Sequence, residues 1–75
     1  MSNQMKLEMK KKARTIKGLV ALLKDDADYI YSDVNDFDMI GLSVSINEVK
    51  DTLQRVIDNV TELEYALYLS KREDL

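Results

Sequence analysis

Six aspartates between positions 25 and 38 are the residues of this chain whose type and crowding could do chemistry. Asp25, Asp26 and Asp28 could serve as paired carboxylates, one acid and one base, if burial pushed their proton affinities apart. Their spacing on a helix instead describes a solvated acidic face. Asp33, Asn35, Asp36 and Asp38 invite a calcium reading, which needs oxygen ligands at loop positions 1, 3 and 5, glycine at 6 and glutamate at 12. Counted from Asp33, position 5 is Phe37, position 6 is Asp38 and position 12 is Val44. Counted from Asp36, glycine falls at position 6, but position 5 is Ile40 and position 12 is Asn47. Both registers fail, and no metal is expected. The chain has no histidine and no cysteine. A serine or threonine nucleophile would therefore need lysine or carboxylate as its base, and no motif places such a pair. No glycine-rich phosphate loop is present either. Neither a catalytic residue nor a cofactor is expected, and the chain is read as a non-enzyme.

The charge is segregated. Residues 1–24 carry seven basic groups against Glu8, residues 25–55 carry eight acids against Lys50 and Arg55, and residues 56–75 carry five acids against Lys71 and Arg72. The net charge of −3 hides this gradient. Charge asymmetry bears on partners rather than on fold. The basic arm Lys6, Lys10, Lys11, Lys12, Arg14 and Lys17 suits nucleic acid, another acidic partner, or an internal acidic counterpart.

A chain of 75 residues is at most one domain. At this size roughly 60% of the unfolded surface is buried on folding, which leaves a thin margin. Without cysteine there is no disulfide staple, so oligomerisation is the ordinary remaining device. No apolar run approaches the ~20 residues of a membrane span, and a cytoplasmic protein is expected.

These residues are positioned by two apolar ladders. Met9, Ala13, Ile16, Val20, Leu23, Ala27, Ile30 and Val34 alternate steps of four and three. Ile46, Val49, Leu53, Val56, Val60, Leu63 and Leu67 do the same after a break. This heptad repeat keeps one side of a helix facing a partner. The expected fold is all-α: an antiparallel helical hairpin with helices over about 10–34 and 45–70, dimerising into a four-helix bundle. Residues 1–9 form a basic flexible leader, with a short strand at Met5–Met9 as the alternative, and residues 10–75 form the hairpin domain. Ser45 and Glu48 form a capping box for the second helix, with Val44 and Val49 as its hydrophobic staple. Residues 33–44 interrupt the repeat, and Met39–Val44 could be a short strand. Hairpin contacts are expected where positions sum to about 80, which places Arg14 and Lys17 near Glu62 and Glu64.

A lone hairpin leaves apolar and aromatic side chains uncovered. Leu19, Leu22, Tyr29, Ile57, Tyr65, Tyr68 and Leu69 are the candidate dimer interface. Tyr31 completes a set of four tyrosines flanking the ladders. The function these features suggest is a small protein–protein interaction module, working as a homodimer. It would act as a regulator or inhibitor that docks Asp25, Asp26, Asp28, Asp33, Asp36 and Asp38 on an unidentified, basic, nucleic-acid-handling protein.

The stretch Gly41-Leu42-Ser43-Val44-Ser45-Ile46-Asn47-Glu48-Val49 is similar to the turn and second-helix start of ribbon–helix–helix repressors. That resemblance implies a dimeric DNA-binding regulator, the alternative function. It would place a DNA-reading strand at Thr15–Leu22 and a first helix at Asp26–Ile40. That helix is strongly acidic, and the strand lacks alternating basic and polar side chains.

Overall fold

The first turn of the chain is set by Ser2, whose hydroxyl accepts the Met5 N–H at 3.1 Å and caps a helix N-terminus. In the computed structural model, which describes residues 2–73, that helix, α1, runs Asn3–Asn35. A second helix, α2, runs Met39–Glu73, and the two pack side by side along a rod 57 Å long. No proline interrupts either helix. The all-α hairpin expected from the ladders is the fold. Met1, Asp74 and Leu75, assigned to the leader and the domain, lie outside the described residues.

Both helices are longer than the ladders suggest. The leader is helical from Asn3, because Ser2 supplies the cap that the lysine-rich first turns lack. Met5–Met9 is therefore helix, not strand. The interruption shrinks to three residues, Asp36–Asp38, and Met39–Val44 belongs to α2. The phase break at residues 33–44 marks a reversal of the chain, not a loop.

That reversal is closed by hydrogen bonds from Phe37 N–H to Val34 C=O at 3.2 Å and from Asp38 N–H to Asp33 C=O at 2.9 Å. The pair is a Schellman ending with Phe37 at the left-handed position, φ 53°. Glycine is the usual residue there, since a side chain costs about 1–2 kcal/mol in that conformation. Asp38, not Ser45, caps α2: its carboxylate accepts the Gly41 N–H at 2.9 Å. Gly41 is glycine for a local reason. A Cβ there would run into the capping carboxylate, 2.8 Å from the Asp38 Cγ, and crowd the Asp33 carboxylate at 3.3 Å.

Ser45, displaced from its expected cap, lies inside α2 and is buried. Its hydroxyl donates to Asp33 on α1 at 2.7 Å, and the Thr52 hydroxyl donates to Asp26 at 3.2 Å. In both pairs the positions sum to 78, two less than the ladder register. The seam between the helices is thus built from two kinds of row. One joins Met9, Ile16, Leu23 and Ile30 to Leu42, Val49, Val56 and Leu63, all half-buried. The other joins Lys12, Leu19, Asp26 and Asp33 to Ser45, Thr52, Asn59 and Ala66.

Candidate interaction surfaces

Heptad geometry divides the hairpin into two broad faces, one continuing each seam row outward. Beside the polar row, Leu19 is the one buried hydrophobic residue among those described, 5% exposed, and Ser45 and Thr52 are each 7% exposed. Small polar side chains let the helices approach, and each is satisfied across the seam. Asn59 bonds within its own helix, donating to the Arg55 carbonyl at 2.8 Å. Lys12 pairs with Glu62 across the hairpin. Glu62 thus takes Lys12 rather than Arg14 or Lys17, because Lys12 lies in the polar seam row, whereas Arg14 is on the back of α1 and Lys17 flanks the opposite face.

Beside the apolar row lies a face that nothing covers. Ala13, Val20, Ala27 and Val34 on α1 are exposed, as are Ile46, Leu53, Val60 and Leu67 on α2. Each set repeats every seven residues, so each forms one straight row. The two ladders are therefore not the seam of the hairpin. Alternate rungs face the other helix, and the remaining rungs face outward, so the ladders together make one side of the molecule. At its open end this face continues into a shallow apolar depression lined by Lys6, Met9, Lys10, Ala13 and Leu63.

The residues singled out for dimerisation do not share a face. Leu19 is inside the hairpin. Tyr29 lies with Asp33, Ser45 and Glu48 on the polar-row side, and Tyr65 and Leu69 lie there with Glu8 and Glu62 nearer the open end. Leu22, one heptad before Tyr29, lies on that side too. Ile57 instead borders the exposed row of Leu53 and Val60. Tyr68 is on the outer side of α2, with the Arg72 guanidinium 5.9 Å from its ring centre. Tyr29, Tyr31, Tyr65 and Tyr68 are all exposed.

The six aspartates divide equally. Asp26, Asp33 and Asp38 hold the fold, through Thr52, Ser45 and the α2 cap. Asp25, Asp28 and Asp36 are exposed and, among the described residues, make no side-chain hydrogen bond or ion pair. Asp25 and Asp28 lie on the back of α1, away from both seam rows. No three carboxylates among the described residues converge on a point where a metal ion could sit. At the tip beside Asp36, Phe37 is 83% exposed and Ile40 82% exposed.

The basic arm is not one surface. Lys12 is engaged with Glu62, and Lys11 lies 3.5 Å from Glu8. Lys10 and Lys17 fall in one row with Lys24, flanking the exposed row of Ala13 and Val20. Lys6 closes the end of that face, and Arg14 lies on the back of α1. The strand that a ribbon–helix–helix fold needs at Thr15–Leu22 is absent: those residues are α1 throughout, and α2 begins before Gly41. That resemblance came from a glycine followed by a capping pattern, which here lies inside a helix. No helix is long and apolar enough to cross a membrane among the described residues.

Comparison with protein-family models, with curated proteins and with solved structures finds no match for this chain.

Proposed function

We propose that this hairpin is a non-enzymatic protein–protein interaction module that works as a homodimer and docks its acidic end on a basic protein. The observation that carries this reading is Phe37. A side chain 83% exposed and held at φ 53° is costly twice over, in solvation and in backbone conformation. Glycine would satisfy the turn at less cost. Exposed Phe37 and Ile40 have the Asp36 carboxylate beside them at the tip, and Asp25 and Asp28, also without a side-chain partner among the described residues, extend the negative charge along the back of α1. Aromatic anchors supply most of the energy of an interface, while surrounding charge steers the encounter and selects the partner. A basic surface with an apolar recess is the complement, and proteins that handle nucleic acid carry such surfaces. Blocking one would make the hairpin a regulator or inhibitor. With no long apolar helix among the described residues, a cytoplasmic setting is compatible with this reading.

Phe37→Gly tests it directly. The substitution relieves the left-handed strain, so stability should rise by about 0.5–1 kcal/mol. Affinity capture from the source cell with the variant as bait should lose the protein that the original chain retains. The triple substitution Asp25→Asn, Asp28→Asn and Asp36→Asn should lose it as well, leaving the three structural aspartates untouched. Undiminished capture by both variants would overturn the proposal.

One observation favours nucleic acid instead, the row Lys10, Lys17 and Lys24 on α1. A salt-sensitive shift with duplex DNA that Lys10→Gln and Lys17→Gln abolish would support that second reading. No binding at low salt would exclude it.

A further inference from the structure

The homodimer reading leaves open which surface pairs, and the structure points away from the residues the sequence singled out. We infer that a second copy of this chain covers the outward rungs of the ladders, with the two rods running in opposite directions, tip against open end. This rests on the homodimer reading above and specifies its interface.

The need for a cover is physical. The one buried hydrophobic residue among those described does not sustain a fold of this size, and no disulfide supplements it. The uncovered apolar rows lie on one face and run about 32 Å along the rod. A specific interface takes about 800 Å² from each partner, and a face two helices wide over that length offers an area of this order.

Self-pairing follows from the pattern within the rows. On α1 the outward rungs alternate alanine and valine. Under a two-fold axis across the middle of the face, near Leu23 and Val56, Ala13 meets the second copy's Val34 and Val20 meets its Ala27. Each small side chain is opposed by a larger one, so the two α1 helices can approach closely. On α2 the same axis sets Ile46 against the second copy's Leu67, and Leu53 against its Val60. All neighbouring helices are then antiparallel, an ordinary four-helix bundle arrangement.

Charge selects the direction. The tip half, residues 25–55, carries eight acids against two basic groups, and residues 1–24 of the other half carry seven basic groups against one acid. Rods side by side in the same direction would bring the acidic tips together. Opposite directions bring Lys6 and Lys10, at the end of the apolar face, toward the second copy's Asp36 and Asp38. Charges of this kind set orientation more than affinity. The back of α1, with Asp25 and Asp28, stays outside the bundle and available to a partner.

Sedimentation of the purified chain should give twice its 8.7 kDa mass. Leu53→Glu should weaken self-association on the order of 100-fold or more, because the carboxylate would be buried unpaired. Leu22→Glu, an equal change on the opposite face, should leave the dimer intact. Since a dissociated hairpin could also unfold, a second measurement keeps the interface unaltered. A spin label on Phe37→Cys, in a chain with no other cysteine, reports the distance between the two tips. A separation of about 40 Å is expected, because Phe37 lies about 20 Å along the rod from an axis near Leu23 and Val56. A monomer at the highest soluble concentration, a dimer dissolved by Leu22→Glu but not by Leu53→Glu, or tips in contact would each overturn the inference. A dimer paired through the Leu22 face would still leave the docking function standing, because that function is read by partner capture.

Discussion

The two faces of the hairpin invert the usual order of burial. The face with aspartate, serine, threonine and asparagine in its seam row holds most of the buried side chains, Leu19, Ser45 and Thr52 among them. On the face with valine, leucine and isoleucine the apolar side chains are half-buried or exposed, and the one side chain buried there among the described residues is Ser70, one heptad past Leu63. The polar row earns its place through geometry. Ser45 and Thr52 are small enough to be enclosed between two helices, and each finds one acceptor at one register, Asp33 or Asp26. An apolar row offers no such discrimination, because leucine packs against leucine at many offsets. Polar seam positions commonly fix register at a cost in stability. Here the polar row fixes the hairpin, and the apolar capacity is left for a surface outside it.

Substitutions that cross this divide sharpen the comparison. The largest expected effect is at Leu19. Leu19→Ala should cost about 2–4 kcal/mol in urea unfolding at fixed protein concentration, within the usual range for buried leucine. Leu22→Ala, three residues on and exposed, should cost under about 0.5 kcal/mol, as surface changes usually do. Equal losses would mean that burial is not what separates the faces.

Asp26→Ala comes next, at about 1–3 kcal/mol, since it strands a buried Thr52 hydroxyl. The double change Asp26→Leu with Thr52→Val should recover that loss. Removing both partners of a buried polar pair is often neutral or better. Recovery of stability with doubled amide resonances in nuclear magnetic resonance spectra would show that the polar pair sets register. A single sharp spectrum would show that Asp33–Ser45 suffices alone.

Gly41→Ala should displace the Asp38 carboxylate from the α2 terminus and cost about 1 kcal/mol, the usual value of a lost cap. The smallest effect has the opposite sign. Gly18 has nothing within 4 Å of the position a Cβ would take. Gly18→Ala should therefore add about 0.5–1 kcal/mol from helix propensity alone. Thermal denaturation followed by circular dichroism reads both.

Much of this was legible in the chain. The heptad spacing announced two antiparallel helices, and the charge gradient announced unlike ends. What misled was a degeneracy in the spacing itself. From Ile16 the next rung of a seam is either Leu19 or Val20, since steps of three and four are both allowed. Apolarity favours Val20, Ala27 and Val34, whereas the seam uses Leu19, Asp26 and Asp33. A signal for the true seam was present: Asp26 and Asp33 recur at seven residues, as do Ser45, Thr52 and Asn59. Ser45 with Glu48 imitated a capping box because serine serves equally as a cap and as a small seam residue. Among the aspartates, type alone could not separate those that hold the fold from those that face solvent.

The sequence by itself determined the helices, their number, their antiparallel pairing and the polarity of the rod, because periodicity and charge are local properties of the chain. Only the tertiary structure decided which rungs turn inward, that Asp38 and not Ser45 begins α2, and that Phe37 stands exposed in a strained turn. Those choices depend on hydrogen bonds between residues as many as 26 positions apart, and on how closely two helices can approach, neither of which a periodicity contains.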